Sequence, residues 1–263
     1  MARIRNGRSE PSRLAVGGLT LLGVILLWYV ATSITQTIPP VYFPTPAEVL
    51  QALRQISLQG YADGRLQQHF FHSCWLVLMG FMVAVGIGVP LGMLMGWSRR
   101  AEAFVNPTFL LLRPIPPLAW IPLAIVWLGL GDAAKVLVIW FAAFVPAVIN
   151  SYAGVRSIEP YLIEAARSLG VRGAMLVREV LFPGALPLIF TGLRLSLQAC
   201  WTTLVAGELI GAIVGLGHVL YQAGLDLFPA MIVVGMIGVA IGGGLMTAAL
   251  GWLETRAMPW HRR

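Results

Sequence analysis

The residue types that carry chemistry are sparse in this chain and do not converge. Its single lysine, Lys135, follows Ala134, so the Gly-Lys-Ser/Thr string that cradles a nucleotide phosphate is missing. No His-Glu-x-x-His or Gly-x-Ser-x-Gly string occurs either. His69 and His72 stand three apart and read as polar residues at a membrane boundary rather than as metal ligands. Cys74 and Cys200 lie in apolar stretches without partner spacing, which reads as two small buried hydrophobes and not as a disulfide or zinc framework. The expectation is a chain with no catalytic residue, no metal and no cofactor of its own. Three charges interrupt otherwise apolar runs: Arg113, Arg194 and Glu208. The last two are fourteen residues apart, roughly 21 Å along a helix, against a hydrocarbon thickness of about 30 Å. They either anchor opposite interfaces by snorkelling or line a pathway through the membrane.

The elements that must position these residues are membrane spans. Of 263 residues, 58% are hydrophobic and 11% charged, where a soluble domain carries about a quarter charged; mean hydropathy is +0.80. Runs of about 20 apolar residues fall at 14–34, 73–97, 108–130, 133–152, 188–213 and 229–253. The first is longer than the apolar region of a signal peptide and lacks a clear small-x-small cleavage site, so it reads as an uncleaved span. The third contains four prolines, which either break the span where packing tolerates it or shape a pathway. With the N-terminus inside, fifteen arginines, Arg113 and Arg194 among them, fall on the cytoplasmic side. Arg54, Arg65 and Lys135 fall outside. That asymmetry places both termini in the cytoplasm and explains the net charge of +7 without nucleic acid, which would need a basic, aromatic-laced face. The long outer loop opens with Pro39, Pro40, Pro44 and Pro46 and then predicts a surface helix over 47–56, with Val49, Leu50, Leu53 and Ile56 on one face.

The longest cytoplasmic loop, 153–187, is the most informative. Ser157 or Glu159 can cap a helix with Pro160 in its first turn. Leu162, Ala165, Ala166 and Leu169 then share an apolar face, and Gly170 can take the left-handed conformation that ends a helix. A helix of about ten residues is marginal alone in water and needs a surface to dock on. A second helical stretch, 172–181, is expected to stop at Pro183 and Pro187. The result is a knob held between two spans and shaped for insertion into a partner.

Glu164-Ala165-Ala166, Gly170 and Val180-Leu181-Phe182-Pro183 resemble the EAA signature (EAA-x3-G-x9-I-x-L-P) of permease subunits of binding-protein-dependent ABC importers, with Val180 for Ile the one departure. The stretch from Arg113 through Pro114, Pro116, Pro117, Trp120 and Asp132, and the ending Met258-Pro-Trp-His261, look most like the taurine, sulfonate and nitrate branch, the taurine members above all. The resemblance implies an all-α polytopic fold of six transmembrane helices, the type I ABC importer permease fold. Residues 1–66 would hold the N-terminus, first span and periplasmic loop. The permease domain would cover 67–251, with a coupling segment at 156–187, and the tail 252–263. It implies docking of an ATPase subunit on Glu164, Ala165, Ala166, Gly170 and Pro183. Two copies of that subunit would carry ATP and magnesium, a periplasmic binding protein would deliver the substrate, and a second copy of this chain would close the pathway within membrane lipid. Arg113, Trp120, Arg194 and Glu208 are the candidates for lining it, Glu208 for the ammonium of taurine. An ion-coupled secondary transporter would instead show internal repeats or buried ionisable pairs. A membrane enzyme would show clustered nucleophiles, acids or metal ligands.

Overall fold

The computed structural model describes residues 13–35, 37–39, 42–208 and 213–261; Arg3, Arg5, Arg8, Arg262 and Arg263 of the charge tally lie outside the described residues. Regular structure among the described residues is helical throughout: α1 (Arg13–Tyr29, continued by a π-helical turn Val30–Ile34), α2 (Pro46–Leu58), α3 (Leu66–Trp97), α4 (Arg99–Leu112), a 3-10 turn Pro117–Trp120, α5 (Ile121–Leu128), α6 (Asp132–Arg156), α7 (Pro160–Ser168), α8 (Ala174–Leu176), a π-helical turn Val177–Leu181, α9 (Phe182–Glu208), α10 (Leu216–Leu225) and α11 (Pro229–Ala257).

Lipid is as apolar as leucine, so helices associate in it through close packing rather than through hydrophobic burial. The sequence supplies that packing by placing small residues at every fourth position of α3: Gly80, Ala84, Gly88, Gly92 and Gly96. A Cβ on Gly80 would lie 2.5 Å from Ile139 Cγ2, and one on Gly92 would lie 2.4 Å from the Val148 carbonyl oxygen. Gly96 lies against Val155, and His72 meets Asp132 at 3.0 Å. The contacts advance together along both helices, so α3 and α6 run parallel. Helix α9 runs antiparallel to α6, with Ala185 against Gly154 and Ser196 Oγ donating to the Ala143 carbonyl at 2.7 Å. Helix α11 returns along α9, its Gly242 facing the Trp201 ring. Leu76, Val77, Ile139, Leu197, Cys200 and Leu204 fill the space between these helices.

Parallel α3 and α6 require the chain to return between them, and α4 with α5 makes that return. Glu102 at the start of α4 accepts from Tyr152 Oη at 2.5 Å near the end of α6. Further on, Phe109 packs edge-on against Phe144, and Ile121 and Ala124 of α5 pack on Ala134 and Val138 near the start of α6. The span expected at 108–130 is corrected in its bounds, to the pair Arg99–Leu112 and Pro117–Leu128, and its prolines do break it: the two helices are bent by 84°. Counting that pair once, α1, α3, α6, the α8–α9 run and α11 bring the candidate crossings to six.

The expected stop at Pro183 and Pro187, and the start of the span at 188–213, are also corrected: one helical run continues from Ala174 to Glu208, and residues 209–212 of that span lie outside the described residues. The π-helical turn, closed by the Phe182 amide donating to the Val177 carbonyl, shifts the hydrogen-bond register just before Pro183. Pro183 follows directly on that turn, and a local π adjustment of this kind is one way a membrane helix accommodates a proline without breaking.

Helix α2 opens with a capping box. Thr45 Oγ1 accepts from the Glu48 amide at 3.3 Å, and Glu48 Oε2 accepts from the Thr45 amide at 2.8 Å. Its buried face is Val49, Ala52 and Ile56, seated on Val219, Ala223, Ala230 and Met231. The expected face is thus corrected: Leu50 and Leu53 point outward, because the helix rests on α10 and α11 along the 49–52–56 line.

Candidate functional site

Two ends of the bundle and one point midway carry the candidate residues. At one end, Glu159 begins α7, Pro160 takes its first position, and Gly170 ends it at φ +86°. The Val171 amide donates to the Ala166 carbonyl and the Gly170 amide to the Arg167 carbonyl, each at 3.0 Å, which is the Schellman arrangement. Ile163 and Ala166 rest on Val155, Leu176 and Leu181. The predicted apolar face is corrected accordingly. Only Ala166 of it turns inward, while Leu162, Ala165 and Leu169 stay exposed, Leu169 at 85%. Glu164 is exposed beside them. The Tyr161 hydroxyl at the helix start is held above its ordinary pKa by its hydrogen bond to Glu159, so it stays a neutral donor. Pro183 lies behind α7 in the first turn of α9. The structure therefore gathers Glu164, Ala165 and Gly170 on a small exposed knob and leaves Ala166 to anchor it. Such a knob can dock; it carries no group set for bond-making.

Midway along the bundle, Arg113 caps the C-terminus of α4. It lines a cavity of about 200 Å³ with Phe109, Trp120, Phe141 and Phe144. Trp120 stacks on Phe141, ring centroids 4.2 Å apart and 9° from parallel. Phe144 stands twelve residues from either end of α6. Arg113 is thereby corrected from an inner-end charge to one at the middle of the crossing, and it drops out of the cytoplasmic tally. Arg194 lies elsewhere. It forms an ion pair with Glu254, near the end of α11, and lines a groove between α9 and α11 with Gln198, Thr202 and Thr247.

Glu208 joins neither cavity. It is fully buried, with Ser73 Oγ donating to Oε1 at 2.8 Å and the Gly217 amide donating to Oε2 at 2.7 Å. The Leu216 amide donates to Ser73 Oγ at 2.9 Å and the Gly215 amide to His69 Nδ1 at 3.0 Å. His69 therefore carries its proton on Nε2, which donates to the Tyr61 carbonyl. Side chains of α3 and α9 thus satisfy the first amides of α10, donors that a helix leaves without partners of its own. Gly215 stands at φ +149°, and a Cβ there would lie 2.2 Å from Glu208 Oε1. The readings of His69 as an interfacial residue, and of Glu208 as an interfacial anchor or pathway-lining residue, are corrected to a buried cap. Sequence reasoning missed it, although Gly215-Leu216-Gly217 shortly after a lone acid was the available signal. Beyond it, Tyr61 donates to Asp226 at 2.5 Å. Burial first, and Asp226 second, push the phenol above its ordinary pKa.

Comparison with known proteins places this arrangement. The family model described as binding-protein-dependent transport system inner membrane component matches residues 88–259. The taurine transport system permease protein TauC of Escherichia coli is 40% identical over 254 residues, covering 96% of this chain and 91% of that protein. The putative aliphatic sulfonates transport permease protein SsuC of Bacillus subtilis is 32% identical, covering 97% and 92%. The bicarbonate transport system permease protein CmpB of Synechococcus elongatus is 32% identical, covering 95% of each. Among solved structures, a chain of the MetNI methionine ABC transporter in an inward-facing conformation superposes with a TM-score of 0.56 at 25% identity, covering 70% of this chain and 95% of that one. The helical bundle, its multiple apolar crossings and these matches agree, and the chain belongs to the binding-protein-dependent inner-membrane permeases of ABC importers, with the type I permease fold.

Proposed function

We propose that this permease carries a small organosulfonate, taurine foremost, inward across the membrane. An ATPase subunit docked on α7 supplies the work. The observation that carries the reading is the exposed face of α7. Leu162, Ala165, Leu169 and Glu164 form a short, rigidly capped knob with no cover from the other described residues, on a protein 40% identical to a taurine permease. Two copies of the chain enclose the pathway, since twofold symmetry is the common solution for a small subunit. A periplasmic binding protein delivers the substrate to the α10 end. Closure of two ATPase subunits around ATP and magnesium draws the α7 knobs together, and the crossings rock between outward and inward states. Both termini then lie in the cytoplasm, on the α7 side.

The test is ATP-dependent uptake of labelled taurine against ethanesulfonate, nitrate and bicarbonate, with the ATPase and binding protein co-expressed. Taurine is expected to enter fastest. Glu164→Lys is expected to lower uptake about tenfold or more at equal protein level, since a misplaced charge at a docked interface costs several kcal/mol. Unchanged uptake by Glu164→Lys sinks the docking assignment. Uptake of nitrate or bicarbonate in place of sulfonates sinks the substrate.

A further inference from the structure

We propose that the break between α4 and α5 is a binding step on the transport path, where Arg113 takes the oxyanion head of the substrate and the Trp120–Phe141 stack walls its carbon chain. The inference rests on the transport reading above and adds a location and a residue to it.

Residues 113–116 are exposed and non-helical, yet they stand level with the middle of α6. Pro114 has no N–H to give to the Leu110 carbonyl, and the Ile115 amide donates instead to Leu112 at 3.1 Å. Pro116 and Pro117 remove two more donors. Irregular backbone at membrane depth is tolerated only where protein buries it or where it lines water. Here the flanking residues Leu111, Leu112, Ile115 and Leu118 are themselves exposed, so the described residues do not bury it.

Arg113 sharpens the choice. It is exposed at the same depth, and no carboxylate pairs with it among the described residues. An unpaired cation at membrane depth marks an ion or substrate path. The cavity beside it, about 200 Å³, is far above the roughly 15 Å³ that one water needs. Its walls carry two chemistries: the planar guanidinium of Arg113, whose fork matches an oxyanion with two parallel hydrogen bonds, and the aromatic side chains of Phe109, Trp120, Phe141 and Phe144. A small organic anion with one oxyanion head and a short apolar tail fits both walls. Sulfonate and carboxylate heads share that chemistry.

The experiment uses the complete complex in membrane vesicles, with Cys74 and Cys200 replaced by alanine and a single cysteine introduced. Ile115→Cys is expected to react with the impermeant anionic reagent methanethiosulfonate ethylsulfonate, and millimolar taurine is expected to slow that reaction about fivefold. Leu78→Cys, on the apolar outer face of α3, is expected not to react. Arg113→Gln is expected to raise the KM for uptake about tenfold while ATP hydrolysis still responds to loaded binding protein, and Arg113→Lys to recover part of that loss. Two results overturn the site. One is an Ile115→Cys that stays unlabelled in every nucleotide state, or that forms a disulfide with its twin in place of labelling, which would make the break a seam between two copies. The other is an Arg113→Gln complex with unchanged KM. The labelling arm keeps Arg113 intact, so it holds even where Arg113→Gln fails to fold. Taurine uptake by the unsubstituted complex tests the parent reading separately; with that uptake intact, a failure here removes the site alone.

Discussion

Prolines do opposite things in two regions of this molecule. Between α4 and α5, Pro114, Pro116 and Pro117 end one helix and bend the next by 84°. In the α8–α9 run, Pro183 and Pro187 leave 35 residues of continuous helix. The difference lies in what surrounds them. Pro187 belongs to a turn in which Thr191 Oγ1 donates to its carbonyl at 2.9 Å, and the neighbouring Ala185 is pressed against Gly154. Pro146 in α6 is supported in the same way. Asn150 Nδ2 donates to its carbonyl at 2.9 Å, and Ser196 reaches across to the Ala143 carbonyl. The 114–117 cluster has neither device: it loses three donors in four positions and faces away from the core. A single proline in a helix packed against its neighbours is an irregularity that the packing absorbs; a clustered, unpacked set is a hinge point.

The largest effect should come from removing the packing that keeps α9 whole. Gly154→Leu puts a branched side chain where even a Cβ meets the Ala185 carbonyl at 2.9 Å. Overpacking of this kind costs about 1–3 kcal/mol or more. The expected outcome is a sharply reduced yield of monodisperse protein in detergent, read by size-exclusion chromatography; parent-like yield would break the account of how α9 tolerates its prolines. A smaller, more selective effect is expected from joint replacement of Pro114, Pro116 and Pro117 by alanine. Three amide donors return, residues 113–118 should gain hydrogen-exchange protection, and uptake should fall about tenfold while thermal stability holds or rises, since helix interiors disfavour proline by about 3 kcal/mol. The same replacement at Pro187 should change uptake less than about twofold, because its turn is already helical. The smallest effect belongs to Ser196→Ala. It removes one cross-helix hydrogen bond near Pro146 and should lower stability by about 1 kcal/mol, seen as a modest drop in the thermal midpoint with transport retained.

The same contrast shows what was legible in the sequence. The crossings were, because apolar length is a direct physical requirement of the bilayer. The α7 helix, its Pro160 start and its Gly170 stop were legible too, since each is a local backbone rule. The inward face of α7 was not. Ile163 and Ala166, rather than Leu162 and Leu169, meet the core, and the direction of approach is fixed by Leu176 and Leu181 from a later segment. Proline identity likewise announced breaks at 114–117 and 183–187 alike, and only tertiary support separated the two. Glu208 read as a charge in a membrane because its partners, Ser73 and the amides of α10, come from distant parts of the chain. Depth misled the reading of Arg113, since the bend that lifts it to mid-height is set by how α4 and α5 lie on α6.

The ladder of small residues on α3 has a mechanical consequence. With Gly80, Ala84, Gly88, Gly92 and Gly96 meshed against the backbone of α6, the two helices engage like the teeth of a rack. A slide of less than one tooth, four residues or about 6 Å, would take Gly92 away from the Val148 carbonyl and Ser151, where a Cβ would already lie within 2.4–2.8 Å. Any movement of the bundle must therefore carry α3 and α6 as one stiff beam, with the play left to the elements that touch the beam without meshing with it.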